Sequence, residues 1–244
     1  MTRAVDAVLF DVGGVFLVPD RDKLQVVLEP FGGSLNPEQA FRAHYAGTAA
    51  MDAGRAPNWL AYRETTVRAA AVPAERFAAA VGALEEHFFT AAVWSTVVPG
   101  TVNALRALAD DGYAVGIVSN ADGTIEEMLV RHAVCQVGEG NGVPVAVVVD
   151  STVVGIDKPD PAIFHLALER LGVAAERTVF VGDTAYADVD GALAAGIHPL
   201  HLDPFGDCPY PRGSHQHVRA LEEIAAAVEA LDARKPAAAG GAQP

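Results

Sequence analysis

The stretch VLFDVGGV at residues 8–15 decides the fold of this chain. An apolar run over residues 4–10 leads into Asp11, and Gly13 and Gly14 follow closely. A short apolar run of this kind indicates a strand that is buried on both faces, and the glycines indicate a tight turn after it. A carboxylate at this point leaves room for a ligand to approach the backbone, although a role for Asp11 as a turn or helix-cap residue stays open.

Beyond residue 97, short apolar runs alternate with segments of helical spacing. Strands are predicted at residues 113–118, 143–149, 178–181 and 197–202, and helices at 101–109, 122–132, 161–171, 188–195 and 218–231. Strands that alternate with helices predict a parallel sheet covered by helices on both faces, which is an α/β fold.

Residues 18–92 have a different character, because apolar residues recur there at helical spacing and strand signals are nearly absent. Phe77, Val81 and Leu84 are an example. We therefore expect a small helical insertion at 18–92, a core domain made of residues 1–17 and 93–234, and a disordered tail at 235–244, where Ala, Gly and Pro dominate.

The composition is that of a folded protein with a strongly acidic surface. The chain has 244 residues, of which 51% are hydrophobic and 20% charged, and its net charge is −14. That charge disfavours binding to nucleic acid or to anionic lipid, since both need clustered cations. An anionic substrate must therefore be held by a local positive charge, such as a metal ion, a well-placed lysine or a helix N-terminus.

The cysteine content and the N-terminal sequence indicate the cellular compartment in which we expect the protein. The two cysteines, Cys135 and Cys208, form no disulfide framework, and the N-terminus reaches Asp6 without an apolar signal region. The apolar run at 143–149 is too short to span a bilayer. We expect a soluble cytoplasmic protein, either a monomer or a homodimer.

Polar residues follow the predicted strands at the points where each strand ends. A polar residue lies at or just after the end of three predicted strands: Asp11, Ser119 and Asp183. A fourth polar residue, Lys158, lies in a proline-framed loop after the strand predicted at 143–149. Ligands of open parallel sheets bind beyond the carboxyl ends of the strands, so we expect these side chains to converge. Taken singly, Ser119 is as well explained as a helix cap, and Lys158 as a surface lysine.

Acidic residues cluster after the strand at 178–181. Asp183 is followed at short range by Asp188 and Asp190. Neighbouring carboxylates repel one another unless a cation is shared between them, and oxygen ligands favour Mg²⁺. Asp190 is also explained as a residue at the start of a helix, near the positive end of the helix dipole.

Four segments together resemble the motifs of the haloacid dehalogenase superfamily. They are FDVGGV at 10–15, VSN at 118–120, KPDPAIF at 158–164, and GDT at 182–184 with the residues up to 192. Their order and spacing are those of the family, and the resemblance covers residues 4 to 203. The helical insertion lies where this family inserts a cap. The resemblance implies a Rossmann-like core with a mobile helical cap.

The resemblance also implies roles for individual residues. Asp11 would be the nucleophile that takes the phosphoryl group as an aspartyl phosphate. Mg²⁺ would bind the carboxylates of Asp11 and Asp183 and the backbone carbonyl of Gly13. Ser119 would hydrogen-bond the transferring phosphoryl group, and Lys158 would neutralise charge between nucleophile and substrate.

The remaining site residues are supporting ones. Asp188 would position the catalytic lysine or a metal-bound water molecule. Gly14 and Asn120, which flank motif residues, and His44 and Tyr45 in the predicted cap complete the set of expected substrate-binding residues.

One position departs from the family pattern. Phosphatases of this family carry a second Asp two residues after the nucleophile, where this chain has Gly13. General acid–base help of that kind is typically worth 10²–10⁴-fold. His44, Tyr45 or Asp20 are candidate substitutes, and a good leaving group, as in an acyl phosphate or a sugar 1-phosphate, reduces the need for one.

These features predict a Mg²⁺-dependent phosphatase that acts on a small phosphorylated metabolite. Alternatives are a 2-haloacid dehalogenase, a phosphonate hydrolase, and a regulatory or binding protein that has lost activity with the second Asp. Retention of Gly182 and Asp183 argues against the dehalogenase, and a cap whose single lysine is Lys23 argues against the phosphonate hydrolase.

A Cys- and His-containing segment follows the predicted strand at 197–202. Cys208 lies near Asp203, and His201, His215 and His217 complete the group. The spacing matches no structural zinc pattern, so we expect an ordered loop near the mouth of the active site, with a metal site as the alternative.

Overall fold

The computed structural model describes residues 3–55, 57–88 and 93–233. The strands are β1 (Ala7–Phe10), β2 (Leu17–Pro19), β3 (Trp94–Val97), β4 (Ala114–Ser119), β5 (Cys135–Val137), β6 (Val143–Val145), β7 (Val147–Asp150), β8 (Thr178–Gly182), β9 (His198–Leu202) and β10 (Gln216–Val218). The α-helices are α1 (Arg21–Leu28), α2 (Pro37–Asp52), α3 (Trp59–Ala69), α4 (Phe77–Phe88), α5 (Thr101–Asp110), α6 (Ile125–Arg131), α7 (Ser151–Val154), α8 (Pro161–Leu171), α9 (Gly191–Ala194) and α10 (Ile224–Ala233).

The main sheet has six strands in the order β10-β9-β8-β1-β4-β7, and all neighbouring strands in it run parallel. Phe10 is in register with Ile117 of β4 and with Val181 of β8. The carboxyl ends of three adjacent strands therefore lie side by side at one edge of the sheet. The predicted α/β fold, a parallel sheet with helices on both faces, is confirmed.

Both faces of the sheet are buried because successive strand residues point to opposite sides. Val8 and Phe10 of β1 belong to the apolar cluster that contains residues of α5, α6 and α10. Leu9, between them, belongs to a second cluster with residues of α8 and α9. This two-sided burial explains why β1 is apolar throughout, and it holds the strand ends rigidly.

Helices α1 to α4 form a separate layer, called the cap below, with an apolar core of its own around Leu28, Tyr62 and Leu84. β2 and β3 pair antiparallel, so the chain leaves the sheet domain and returns to it along two adjacent strands. Helix α2 starts with a capping box formed by Asn36 and Gln39, with Pro37 in the first turn.

Some predicted elements need correction. The strand predicted at 143–149 is two strands, since β6 pairs with β5 while β7 forms an edge of the main sheet. The chain changes partner at Ala146, whose N–H donates to the carbonyl of Val115 at 2.8 Å. Pro144 has no N–H to donate and lies in the small two-stranded sheet, where fewer hydrogen bonds are required of it.

Helix boundaries differ as well. The helix predicted at 188–195 begins earlier, as a π-helix over Ala185–Asp190 that continues into α9. The last helix, predicted at 218–231, starts at Ile224, because residues 216–218 pair with β9 as an additional strand. The predicted tail at 235–244 lies outside the described residues. Within the described chain, no helix is both long enough and apolar enough to cross a membrane.

Candidate active site

The carboxyl ends of β1, β4 and β8 bring together the residues that the sequence singled out. Asp11, Ser119 and Asp183 are each at most 9% exposed. The N–H of Asp11 donates to the carbonyl of Val181 at 2.9 Å, which extends the β1–β8 pairing to the carboxylate itself. The predicted convergence therefore occurs, at the buried ends of hydrogen-bonded strands.

Lys158 reaches this edge from the loop after α7. Its Nζ lies 2.9 Å from Asp11 Oδ1 and 2.7 Å from Asp188 Oδ1, and the residue is 4% exposed. Burial lowers the pKa of Lys158, but the two adjacent carboxylates more than offset this and raise it overall. The lysine is therefore charged at neutral pH and lies between the predicted nucleophile and Asp188.

Two residues hold Lys158 in place. Asn120 donates from Nδ2 to the Lys158 carbonyl at 3.0 Å, and its Oδ1 accepts from the Lys158 N–H at 2.8 Å. Asp188 accepts from the N–H and the hydroxyl of Thr184 with its other oxygen, at 3.0 and 2.7 Å. Asn120, expected to bind substrate, thus has both ends of its amide on the lysine backbone, which makes it a positioning residue.

Asp11, Asp183 and Asp188 form an acidic cluster, with a carboxylate oxygen of each within 4.8 Å of the others. Burial raises the pKa of Asp11, although Lys158 opposes the rise. Burial, and then the neighbouring carboxylates of Asp188 and Asp11, raise the pKa of Asp183 well above its usual value. One ammonium against three buried carboxylates leaves an excess of negative charge.

A divalent cation fits this cluster. Asp11 Oδ1 is buried and forms the ion pair with Lys158 but no hydrogen bond of normal geometry, so it keeps coordination capacity. Oxygen ligands of this kind suit Mg²⁺. The residues that could hold it are Asp11, Asp183 and the carbonyl of Gly13.

Gly13, which stands where family phosphatases carry an Asp, faces an indole ring. A Cβ at this position would lie 3.4 Å from Trp94, in ordinary van der Waals contact. Trp94 belongs to β3, the strand by which the chain re-enters the core. An aromatic surface therefore adjoins the space next to the nucleophile where a proton donor is expected.

Gly14 cannot be replaced without strain. Its φ is +72°, and a Cβ there would lie 2.0 Å from an oxygen of Asp183 and 2.6 Å from Nε2 of His44. Its N–H donates to Leu17, and its carbonyl accepts from the Tyr45 hydroxyl at 2.8 Å. Gly14, expected to bind substrate, instead lets the cap and the acidic cluster approach its backbone.

The cap helix α2 reaches the acidic cluster through His44. Its Nε2 lies 3.1 Å from Asp183 Oδ2, and its Nδ1 lies 2.7 Å from the hydroxyl of Tyr62. Burial lowers the pKa of His44 to about 3. The ring is therefore neutral at neutral pH and acts here as a hydrogen-bonding partner of Asp183 rather than as a charged acid.

The other candidates for the missing acid have different roles. Tyr45 has its hydroxyl on the Gly14 carbonyl, and burial raises its pKa well above the usual range. Asp20 accepts from the backbone of Asp22 and Lys23 and so caps α1. His44 is the only one of the three that contacts the acidic cluster.

Sequence reasoning missed Asp52, Tyr62 and Trp94. Asp52, the last residue of α2, accepts from the N–H groups of Ala185 and Tyr186 at 2.6 and 3.0 Å. Burial raises its pKa to about 7, against the lowering effect of these two hydrogen bonds. No local pattern marks these residues, because their roles arise from contacts between the cap and the sheet domain.

A cavity of about 620 Å³ opens between cap and sheet domain. Polar and apolar side chains both line it, among them Asp11, Ser119, Lys158, Trp59, Trp94 and Met128. Small-molecule sites typically have volumes of 300–1,000 Å³ and a mainly apolar lining with a few placed polar groups. The arrangement suits a small anionic ligand with an apolar or planar portion.

Comparison with known proteins identifies the family. Residues 5–196 match the model of the haloacid dehalogenase-like hydrolases, so this chain belongs to that family and is a hydrolase. The resemblance inferred from the four motifs is confirmed.

Curated relatives support the family assignment. The chain is 29% identical over 176 residues to mouse haloacid dehalogenase-like hydrolase domain-containing protein 3, which is 70% of this chain and 67% of that protein. It is 36% identical over 104 residues to the glyceraldehyde 3-phosphate phosphatase of Methanothermobacter thermautotrophicus, 42% of each chain. The second alignment thus spans under half of that relative.

Solved structures share the fold. A HAD phosphatase from Thermococcus onnurineus superposes with a TM-score of 0.54 and 23% identity, over 92% of this chain and 98% of its own. A 2-haloacid dehalogenase from Pseudomonas syringae pv. Tomato superposes with a TM-score of 0.51 and 20% identity, over 93% and 98%. At these identities the likeness concerns the fold.

Proposed function

We propose that this hydrolase is a Mg²⁺-dependent phosphatase of small phosphorylated metabolites, with Asp11 as the nucleophile. The observation that carries the proposal is the buried contact of Lys158 with both Asp11 and Asp188, at 2.9 and 2.7 Å, beside Asp183. A lysine in this place offsets the repulsion between an anionic nucleophile and an anionic ester. The phosphatase named among the relatives supports the same reaction class.

The reaction follows from the positions of these groups. An oxygen of Asp11 attacks phosphorus, and the bond from phosphorus to the ester oxygen breaks, which leaves an aspartyl phosphate. Lys158 and the Ser119 hydroxyl stabilise the charge on the transferring phosphoryl group. Water then attacks phosphorus, the bond to Asp11 breaks, and inorganic phosphate leaves with the carboxylate restored.

Mg²⁺, held by Asp11, Asp183 and the Gly13 carbonyl, would supply additional charge neutralisation at the phosphoryl oxygens. Gly13 supplies no carboxylic acid beside Asp11, so the leaving oxygen lacks the proton donor that family phosphatases carry at this position. The preferred substrates are therefore esters with good leaving groups, such as acyl phosphates, aryl phosphates and sugar 1-phosphates.

The test is phosphate release from a panel of small phosphate esters, with Mg²⁺ and with EDTA. The expected result is turnover that requires Mg²⁺ and is abolished in Asp11→Asn. Asp20→Asn is the matched control, since it makes the same change at the N-cap position of helix α1, outside the cavity. Aryl and acyl phosphates should be cleaved faster than alkyl phosphates of similar size.

Two outcomes would contradict the proposal. Release of halide from a 2-haloacid, independent of metal but dependent on Asp11, would indicate a dehalogenase, in which the nucleophile attacks carbon. No turnover of any ester, with Mg²⁺ still bound at the acidic cluster, would indicate a binding protein in which Gly13 has removed the activity.

A further inference from the structure

Four potential metal ligands converge at the edge of the main sheet, in a group that the phosphatase mechanism does not use. One donor atom from each of His201, Cys208, His215 and His217 lies within 4.8 Å of the other three; these residues are called the histidine–cysteine cluster. His201 Nδ1 is 2.9 Å from His215 Nε2, which is 3.8 Å from Cys208 Sγ. The sequence spacing did not predict a zinc site here.

The sheet itself produces this convergence. β9 and β10 run parallel with His201 and His217 directly in register, so their side chains lie next to each other on one face. His215 lies two residues before His217, and the rings of these two stack with centroids 4.4 Å apart. The loop between the strands brings Cys208 back to the histidines. The spacing along the chain is unusual because strand pairing, rather than a short local motif, sets the geometry.

Each histidine has its second ring nitrogen on a partner that orients it. His201 Nε2 lies 3.1 Å from the Asp183 carbonyl, which can only accept, so this nitrogen carries the proton and Nδ1 presents a lone pair to the cluster. His217 Nδ1 lies 3.1 Å from the carboxylate of Asp203. Second partners of this kind are the rule for metal-bound histidines.

The protonation states also suit metal binding. Burial, with the neighbouring histidines, lowers the pKa of His215 to about 4, and burial lowers the pKa of His201. The neutral form of the ring is the one that coordinates a metal, so a lowered pKa does not oppose metal binding. The pKa of the Cys208 thiol is raised by burial, so a metal must displace its proton on binding.

The donor set separates this cluster from the acidic one. Three imidazoles and a thiolate favour Zn²⁺, while Mg²⁺ prefers oxygen. Tetrahedral ligands of Zn²⁺ lie about 3.3–3.8 Å apart. The donor atoms here lie within 4.8 Å of one another, so binding requires each separation to change by roughly 1.5 Å at most. Asp183 contacts both clusters. Its side chain belongs to the acidic cluster, and its backbone carbonyl lies 3.1 Å from His201 Nε2.

The loop of residues 203–215 contacts both the cap and the π-helix. Arg42 of α2 pairs with Asp207 and stacks over the ring of Phe205 at 4.5 Å. The hydroxyl of Tyr210 donates to Asp190 at 2.6 Å. An ion that ties the loop to β9 and β10 would therefore fix side chains that hold the cap against the sheet domain.

We propose that the histidine–cysteine cluster is a Zn²⁺ site that holds the loop of residues 203–215 against the cap. This proposal does not depend on the phosphatase activity.

The test uses the full chain without a histidine tag, stripped with EDTA and then loaded with Zn²⁺ or Co²⁺. The expected result is one tightly held Zn²⁺ per chain. With Co²⁺ the expected spectrum has intense tetrahedral ligand-field bands and a thiolate-to-metal charge-transfer band. Cys208→Ser should abolish the charge-transfer band, and Asp203→Asn should weaken Zn²⁺ binding by about 10–100-fold.

Matched variants keep the result specific. His198→Gln removes an exposed histidine of the same strand, and Asp183→Asn alters the acidic cluster while leaving its backbone carbonyl; both should keep the cobalt spectrum. Bound Zn²⁺ should also slow amide hydrogen exchange in the loop. The proposal is overturned if Zn²⁺ is lost on dialysis, if the charge-transfer band survives in Cys208→Ser, or if the cobalt spectrum disappears in Asp183→Asn.

Discussion

At the scale of single residues, Lys158 neutralises only part of the negative charge of the acidic cluster. Its ammonium contacts Asp11 and Asp188, and Asp183 is left with a raised pKa and a hydrogen-bonding neighbour, His44. A bound cation would remove this imbalance, and it would give a protein of net charge −14 a local positive centre for an anionic substrate.

The two adjacent glycines allow a direct prediction. Gly14→Ala should reduce the free energy of unfolding by more than about 2 kcal/mol and abolish activity, because φ is +72° and the new Cβ would collide with Asp183. Gly13→Ala should cost under about 1 kcal/mol, since φ is not positive there and the Cβ meets Trp94 at 3.4 Å. Denaturant unfolding of both variants measures this, and equal losses would contradict it.

At the scale of elements, α2 carries the cap residues that contact the acidic cluster and Gly14. In the middle of the helix, His44 contacts the acidic cluster and Tyr45 contacts Gly14. At its end, Asp52 accepts from the first two N–H groups of the π-helix. A carboxylate at the start of a helix accepts from N–H groups that have no partner within that helix. The α2 helix therefore spans the join between cap and sheet domain.

The pKa of Asp52 leads to a prediction about pH. Because its pKa is raised to about 7 in the folded protein from 3.8, its contribution to stability is fully present below about pH 4 and is lost as pH rises through 7. The free energy of unfolding of the metal-free protein should therefore fall between about pH 5.5 and pH 7. By the linkage relation, this fall should be about 2 kcal/mol larger in the wild type than in Asp52→Asn.

Denaturant unfolding in EDTA at several pH values measures this difference. Asp11 and Asp183 also have raised pKa values, so part of the slope remains in the variant. Parallel curves for the two proteins would show that Asp52 does not titrate in this range.

At the scale of the whole molecule, the cap and the sheet domain have separate apolar cores and meet around a charged cavity. Buried carboxylates at that junction oppose folding when no cation is present. Stability of the whole chain should therefore depend on a ligand that binds at the junction.

Mg²⁺ should accordingly stabilise the folded chain. A concentration of about 100 times the dissociation constant adds about 2.7 kcal/mol to the free energy of unfolding. Asp183→Asn should lose most of this increment, whereas Asp190→Asn, a nearby acid that accepts from Tyr210 instead, should keep it. Thermal unfolding with and without Mg²⁺ distinguishes the two, and equal increments would place the ion elsewhere.

Local sequence was sufficient for the central strands of the sheet and for the residues at their carboxyl ends. Apolar runs determined where β1, β4, β8 and β9 lie, and the parallel arrangement then requires that residues after each strand meet at one edge. Asp11, Ser119 and Asp183 could therefore be predicted together, and the family match over residues 5–196 spans all four motifs.

Tertiary structure decided the rest, because it depends on contacts between segments far apart in the chain. Asp52 meets the backbone of Ala185 across 133 positions, and no local pattern records such a pair. The same holds for Trp94 beside Gly13 and for the histidine–cysteine cluster, which forms because β9 and β10 are in register. Local patterns determine which face of an element is buried, whereas the packing of cap on sheet determines which side chains share the cavity.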